Sequence, residues 1–227
     1  MTATMLALVL ALQSEELAEA AKKTSALESY SFKNEAKASA KPKNQPGAIE
    51  GHYQKDQPLS LKSGSAEGFK KAGLVVYKDG DDWKTLEKPQ KGEKKKAQPV
   101  AALFAGVKLP HEEMENFDKN FEKVEKAAEK DKDCTVWSGA LTPSAARSLV
   151  STGSKAEGKS QASYTGTAKV WINEKGLIVR YEISAHMKGE TKKGPVESDI
   201  TRTVEITEGG APVEIPEAAK KLLEGQP

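Results

Sequence analysis

Residues 163–187 read SYTGTAKVWINEKGLIVRYEISAHM, and the alternation of their side chains decides the fold. In the first half, the residues that share one face are Tyr164, Ala168, Val170 and Ile172. After the turn NEKG, a second alternating run has as its apolar members Leu177, Val179, Tyr181, Ile183, Ala185 and Met187. A period of two is typical of antiparallel strands with one face in the core and one in water. The stretch therefore predicts a β-hairpin.

The same period appears on both sides of this hairpin. After it, Val196, Ile200, Val204 and Ile206 alternate with charged and hydroxyl residues, which predicts a third long strand. Well before it, SYSFKNEAKASAK at 29–41 has an apolar face formed by its even-numbered residues. Shorter strands are predicted around 49–53, 59–61, 74–77, 83–86 and 135–141. These patterns predict seven to nine antiparallel strands.

Helical periodicity is confined to the start, the middle and the end of the chain. SEELAEAAKKTSAL at 14–27 has Leu17, Ala20, Ala21, Thr24 and Leu27 on one face. Residues 99–130 are predicted to be helical, with a stripe formed by Met114, Phe117, Phe121, Val124 and Ala128. Short helices are also predicted after Thr142-Pro143 and at PEAAKKLL. Because helices and strands are segregated, we predict one α+β domain over residues 14–227.

The first residues have the character of an export signal. Residues 2–13, TATMLALVLALQ, carry no charge, and the first acidic pair is Glu15-Glu16. About a dozen apolar residues match the core of a secretory signal but are too few to span a bilayer, which needs roughly 20. We predict a signal peptide over residues 1–13 and a periplasmic or secreted location. The alternative is a buried first turn of the helix that follows.

The charges and the chemically reactive residues do not indicate nucleic-acid binding or catalysis. The chain has 35 Lys and Arg against 33 Asp and Glu, so it offers little net attraction to a polyanion. The Lys-rich loop at 88–98 lacks interleaved aromatic residues that would stack on bases. His52, His111 and His186 fall on different predicted elements, and Cys134 is the only cysteine. We therefore predict no catalytic residue, no metal site and no cofactor.

The apolar face of the sheet is the remaining candidate for function. It either packs fully against the helices or curves around a cavity that holds a hydrophobic ligand. Small residues on this face would leave room for such a ligand; they are Ala36, Ala38, Ala40 and Gly51. The residues predicted to line the ligand site are Tyr30, Phe32, Tyr53, Leu59, Leu61, Trp83, Trp137, Val170 and Ile172.

The order of these elements resembles a known family. The segments that carry the likeness are SYSFKNEAKA, GHYQKDQPLSLK, LVVYKDGDDW, GTAKVWINEKGLIVRYEIS and VEIPEAAKKLL. Together they are similar to the periplasmic lipoprotein carriers of the LolA type and to the mycobacterial lipid-carrying lipoproteins. The resemblance implies a strongly curved antiparallel sheet, an open half-barrel, with helices covering its concave face and acyl chains bound between them.

The sequence departs from this family at three points. They are the Lys-rich loop at 88–98, the enlarged segment at 110–130, and the absence of an early cavity-facing arginine of the kind that the LolA-type carrier uses for its switch.

Two functions follow from this reading. The first is a non-catalytic cell-envelope protein, not integral to the membrane, whose partner is a lipid or an acylated protein. The second is an interaction or stress-sensing module of the same fold, whose cavity is filled by its own helices and whose partner is another envelope protein.

Overall fold

The computed structural model of the chain describes residues 15–39, 47–86, 99–115, 117–131, 133–150, 162–191 and 194–225. The predicted signal at 1–13 and the Lys-rich loop at 88–98 lie outside these ranges, as does Ala40.

Eleven strands form a single antiparallel sheet in the described part of the chain. They are β1 (Ser29–Ala38), β2 (Ile49–Gln54), β3 (Leu59–Ser63), β4 (Ala66–Lys71), β5 (Leu74–Asp79), β6 (Asp82–Thr85), β7 (Phe121–Asp131), β8 (Cys134–Leu141), β9 (Ser163–Ile172), β10 (Ile178–Thr191) and β11 (Gly194–Glu208). Their order across the sheet is β6-β5-β4-β3-β2-β1-β11-β10-β9-β8-β7, so the sheet is open and its edges are β6 and β7. The α+β class with an open curved sheet is confirmed.

The helices are short. They are α1 (15–25), α2 (Pro99–Ala105), α3 (Pro110–Met114), α4 (Pro143–Val150) and α5 (Glu217–Leu223), with a 3-10 turn at Phe117–Asn120. As predicted, Thr142 caps α4, because its Oγ1 accepts a hydrogen bond of 3.3 Å from the backbone N–H of Ala145. None of the helices among the described residues has the length and apolarity needed to cross a membrane.

The predicted hairpin is present as β9 and β10, but a bulge changes the face of its first residues. The pairing register shifts between Ile178 and Arg180, so Val179 is the extra residue. The alternation predicted Ile178 on the solvent-exposed face, but because of the bulge it is fully buried in the main core. Its backbone N–H donates to Oγ1 of Thr24 at 2.8 Å, which joins the hairpin to α1.

The predicted helix over residues 99–130 is wrong beyond Met114. The segment breaks after α3 and continues as the 3-10 turn and then as β7. Residues 121–131 are rich in Glu, Lys and Ala, which favour a helix locally. Pairing with β8 overrides this preference, and it does so irregularly, with register shifts at Phe121/Lys123 and at Lys126/Lys130. The enlarged helical segment inferred at 110–130 is therefore helical only at its start, and from Phe121 onward it is a strand that forms one edge of the sheet.

The strand count is also higher than predicted, because β4 had no clear strand pattern and β7 had a helical one. In β4, AEGFKK, Gly68 stands where a large apolar residue would mark the inner face. A side chain at Gly68 would collide with the Phe104 ring of α2, since an added Cβ would lie 2.7 Å from Cδ2. The apolar group of this position is therefore supplied by a distant helix.

A ring from a neighbouring element also fills the space beside Gly51, which was predicted to leave room on the concave face. An added Cβ at Gly51 would lie 2.3 Å from the ring of Phe32, its cross-strand partner on β1. The ring of Phe32 thus occupies the space that the missing side chain leaves. Ala36 and Ala38, the other described small residues of this face, are half-buried.

Two apolar clusters lie on opposite faces of the sheet. The larger one joins the concave face to α1, α2, α3 and α4 through residues such as Leu17, Phe104, Met114 and Leu149. The smaller one packs Ala219, Leu222 and Leu223 of α5, together with Ile215, against the outer-face residues Phe69, Val76 and Trp83. The ligand-binding question therefore concerns the concave face and the helices that cover it.

The orientation of β9 is tested by placing a charge on each of its faces. Val170 is fully buried and Thr167 is exposed. Val170→Asp buries an unpaired carboxylate and should lower the free energy of unfolding by more than about 3 kcal/mol. Thr167→Asp should lower it by about 1 kcal/mol at most. Equal losses in urea unfolding experiments would show that the faces of the strand are reversed.

Candidate functional site: an apolar face closed by a lid

The structure brings together most of the residues predicted to line a ligand site. Seven are buried in the main concave cluster, and they are Tyr30, Phe32, Leu59, Leu61, Trp137, Val170 and Ile172. Tyr53 is partly buried and packs against the same cluster. Trp83 does not join them, because it lies on the outer face, where its ring packs 5.4 Å from that of Phe69. The predicted set, without Trp83, therefore forms one continuous apolar surface.

A segment that we call the lid, residues 99–115, extends over this surface from β4 and β5, which α2 contacts, to β10 and β11, which Glu113 of α3 contacts. It consists of α2, a connection at 106–109 and α3. Its apolar anchors are almost fully buried; they are Ala101, Phe104, Val107 and Met114. Helices of seven and five residues are far below the length at which a helix is stable alone, about 12–15 residues. The lid therefore owes its structure to its contacts with the sheet.

The strongest polar contact of the lid is a buried ion pair between α3 and β11. Nη1 and Nη2 of Arg202 donate to Oε1 and Oε2 of Glu113 at 2.8 and 2.9 Å, in a two-pronged arrangement. The side chains of Arg202 and Glu113 are only 1% and 3% exposed. The hydroxyl of Tyr181 also donates to Oε2 of Glu113. The carboxylate of α3 is thus fixed by two residues of neighbouring strands.

Arg202 also bonds to the sheet and to a second helix. Its Nε donates to Oδ1 of Asn34 on β1 at 3.0 Å, and its Nη1 donates to the carbonyl oxygen of Leu149 near the end of α4 at 2.6 Å. One side chain therefore connects β1, β11, α3 and α4. We call Arg202, Glu113, Tyr181 and Asn34 the clasp.

Arg202 and Tyr181 of the clasp both keep their protons. Burial alone would lower the pKa of the Arg202 guanidinium, but its electrostatic and hydrogen-bond interactions with Glu113 and Tyr181 together outweigh burial, and the pKa lies above its ordinary value. Burial, and then the charge of Glu113, raise the pKa of Tyr181 well above its ordinary value, so its hydroxyl keeps the proton that it donates. The cation and its hydrogen bonds therefore persist over the whole physiological pH range.

A second polar contact joins the start of α3 to the early strands. The hydroxyl of Tyr30 lies 2.7 Å from Nδ1 of His111, and the rings of His111 and Tyr53 are 4.4 Å apart. Burial lowers the pKa of His111 and raises the pKa of Tyr30. A neutral imidazole facing a protonated phenol follows, which makes Tyr30 the donor to Nδ1.

Lysines hold the ends of the covering helices. Nζ of Lys70 on β4 donates to the carbonyl oxygens of Ala105 and Val107 at 3.1 and 2.9 Å, where α2 ends. Nζ of Lys108 donates to the carbonyl oxygen of Ser148 in α4 at 3.1 Å. A cation at a helix C-terminus satisfies carbonyl groups that lack partners within the helix. The lid is thus attached at the end of α2, in the connection at 106–109 and in α3.

A cleft under the lid is closed in this conformation. It lies between Asn34, Ile49, Leu103, Val107 and Arg202 and does not admit a water-sized sphere. The buried Nε1–H of Trp137 has no hydrogen-bond acceptor among the described residues. The structure therefore shows a closed state, in which the apolar face contacts the chain's own helices and one buried donor is left unsatisfied.

The three histidines lie on different elements, as the sequence indicated. His111 is on α3, His52 on β2 and His186 on β10. Within the described residues, no group of three or more His, Cys, Asp and Glu side chains could hold a metal ion.

The clasp was not identified from the sequence, although the position of Arg202 in its strand indicated part of it. Arg202 lies two and four residues before Val204 and Ile206 in β11, so it is on the same, apolar face of the strand. An arginine at such a position requires a buried counterion. Nothing in the sequence identifies that counterion, because Glu113 is 89 residues away in the chain and is one of several neighbouring acidic residues.

The fold and the site together define a class: α+β proteins with an open curved sheet whose apolar face is closed by short helices. Among solved structures, the lipoprotein LppX of Mycobacterium tuberculosis shares this fold with a TM-score of 0.54 and 13% identity, over 89% of this chain and 97% of that chain. LprF of Mycobacterium bovis aligns over 91% of this chain and 96% of its own, with 14% identity and a TM-score of 0.45.

The similarity to LppX concerns the fold alone. It supports the fold that the resemblance implied and does not point to the LolA-type carriers in particular. No protein-family model matches the chain, and no curated protein matches it by sequence.

The clasp is tested by removing one of its charges. Glu113→Gln leaves the Arg202 cation buried without a counterion and should lower the free energy of unfolding by about 3–5 kcal/mol. Glu115→Gln changes an exposed residue next to α3 and should alter it by less than about 0.5 kcal/mol. Chemical denaturation measures both.

A double variant separates the charge from the packing. Arg202→Met combined with Glu113→Leu removes the cation together with its counterion and should be more stable than Glu113→Gln alone. If Glu113→Gln unfolds like the unmodified chain, the ion pair does not hold the lid.

Proposed function

We propose that this chain is a non-catalytic cell-envelope protein that binds the acyl chain of a lipid or of an acylated protein between the concave face of the sheet and the lid. The observation that carries the proposal is the continuous apolar surface under a lid of two short helices. The resemblance of the sequence to lipid-carrying lipoproteins and the fold shared with a mycobacterial lipoprotein support it.

The binding surface is long enough for an acyl chain. Leu61 lies on β3, Tyr30 and Phe32 lie on the central strand β1, and Val170 and Ile172 lie on β9, so the cluster extends across five strand spacings of about 4.8 Å each. Each methylene that leaves water gains about 0.8 kcal/mol, so ten would gain about 8 kcal/mol before the costs of association. That gain is compatible with micromolar binding without a charged anchor.

Binding requires the lid to open, because the lid's own side chains pack against this surface. The acyl chain would replace contacts that Phe104, Val107 and Met114 make in the closed state. The lid has a low intrinsic stability because α2 and α3 are too short to persist alone. The clasp sets the closed position and opposes spontaneous opening. The affinity for a ligand is then the gain from the acyl chain less the free energy of lid opening.

A polar group is available for the head of the ligand. The indole N–H of Trp137 is buried in the concave cluster and has no acceptor among the described residues. An unsatisfied buried donor costs about 1–3 kcal/mol. The carbonyl oxygen of an ester or of a carboxyl group would satisfy it, which favours a lipid over a plain hydrocarbon.

The closed cleft also favours the second function, an envelope interaction or stress-sensing module without lipid cargo. In that function the closed state is the working state, and the lid is a permanent part of the core. The difference between the two functions is whether an acyl chain reaches the surface under the lid.

The three tryptophans allow a direct test. Trp137 lies in the concave cluster, whereas Trp83 belongs to the outer cluster beneath α5. We expect 9,10-dibromostearic acid to quench the fluorescence of a variant that keeps only Trp137 (Trp83→Phe, Trp171→Phe), in a saturable manner. Bromine quenches only at short range, so the location of the tryptophan reports the location of the acyl chain.

The matched control keeps only Trp83 (Trp137→Phe, Trp171→Phe) and should not be quenched. Equal quenching of both variants would show nonspecific surface binding. No saturable quenching of the Trp137 variant would contradict the carrier function and favour the self-filled module.

A further inference from the structure

A second pocket lies on the opposite side of the sheet, away from the lid. It has a volume of about 360 Å³ and lies on the outer face of β11, β1, β2 and β3. The segment after β11 borders it through Val213, a residue that is 40% exposed. Small-molecule sites commonly have volumes of roughly 300–1,000 Å³, so the pocket has room for a small ligand.

Eight of the eleven residues that line this pocket are polar, and they form two rows that cross the four strands; the other three are Phe32, Gly51 and Val213. In the first row, cross-strand neighbours follow one another in the order Thr207, Ser31, His52, Ser60. In the second row the order is Glu205, Lys33, Glu50, Lys62. All eight residues border the pocket. Hydroxyl and imidazole groups thus lie beside a row of alternating charges.

His52 is a fixed part of the pocket. Its Nδ1 lies 3.1 Å from Oγ of Ser31. Gly210 passes directly over the pair, since an added Cβ there would lie 2.6 Å from Cε1 of His52 and 3.0 Å from Oγ of Ser31. The other ring nitrogen, Nε2, is buried and has no partner among the described residues. The imidazole therefore has an unused hydrogen-bonding position.

The chemistry of the lining selects the kind of ligand. Two lysines and two glutamates cancel each other, so the pocket does not favour a net anion or a net cation. Its carboxylates accept hydrogen bonds, its ammonium groups donate them, and its hydroxyls do both. Depending on the tautomer, Nε2 of His52 is either a donor or an acceptor, and a ligand hydroxyl pairs with either form.

We propose that this outer-face pocket binds a neutral polyhydroxylated molecule, a sugar of one or two rings. A sugar presents adjacent hydroxyls that donate and accept at once, which matches donors and acceptors that alternate from strand to strand at a spacing of about 5 Å. Because the pocket is on the face opposite the lid, this binding is independent of the acyl site.

Solution NMR of the full chain tests the proposal. Trehalose, methyl α-D-glucopyranoside and myo-inositol are titrated separately, with glycine betaine and inorganic phosphate as zwitterionic and anionic comparisons. We expect at least one of the three polyols to cause saturable shifts in the amide signals of Ser31, His52 and Ser60, and the two comparisons to cause none. Saturable binding of betaine or phosphate in place of the polyols would overturn the proposal, as would the absence of saturable shifts with all three polyols.

The location is tested with variants that keep the strands intact. Ser60→Ala combined with Thr207→Val removes two hydroxyls and should weaken polyol binding about tenfold. Thr203→Val changes the same outer face of β11 outside the pocket and should leave the affinity unchanged. Thermal unfolding verifies that both variants are folded. Equal affinities of the double variant and the unmodified chain would overturn the assignment to this pocket.

Discussion

The buried ion pair between Arg202 and Glu113 is the interaction on which the arrangement of the concave side depends. Arg202 comes from the middle of the sheet, and its donors reach β1, α3 and α4. A guanidinium in an apolar interior is tolerated only when its charge and its N–H groups have partners. The sheet therefore determines where the helices lie, because any other position of α3 would leave a charge buried and unpaired.

This arrangement separates the position of the lid from its stability. The apolar contacts of Phe104 and Met114 are nondirectional and could be exchanged for other apolar groups, including an acyl chain. The ion pair is directional, and a buried pair adds little net stability compared with apolar residues of similar volume. A lid built in this way returns to one closed position without being locked there. That combination suits a protein that takes up and releases a hydrophobic ligand.

Local patterning was sufficient for the parts of the fold in which each strand alternates cleanly. β1, β9, β11 and the part of β10 after its bulge follow a period of two, and the face of α1 follows a period of 3.6, so their buried sides were predicted from the sequence. β7 was predicted to be a helix because its helical preference is local, whereas its pairing with β8 is a tertiary effect. Gly68 and Gly51 were misleading for the same reason, since the rings that fill their sites come from other elements. Except for Trp83, the residues predicted for the apolar surface of the candidate site do lie together there, but the clasp that closes it was not predictable.

Whether the concave face holds a lipid in the cell is the central question, and native mass spectrometry of the full chain addresses it most directly. The chain would be purified without detergent from the cells that produce it and transferred intact into the gas phase. The account predicts a species heavier than the polypeptide by the mass of one lipid, and a higher proportion of that species when Phe104→Ala or Met114→Ala weakens the closed lid and so lowers the free energy of opening. If only the mass of the bare polypeptide is found, in the unmodified chain and in both variants, the carrier account is contradicted.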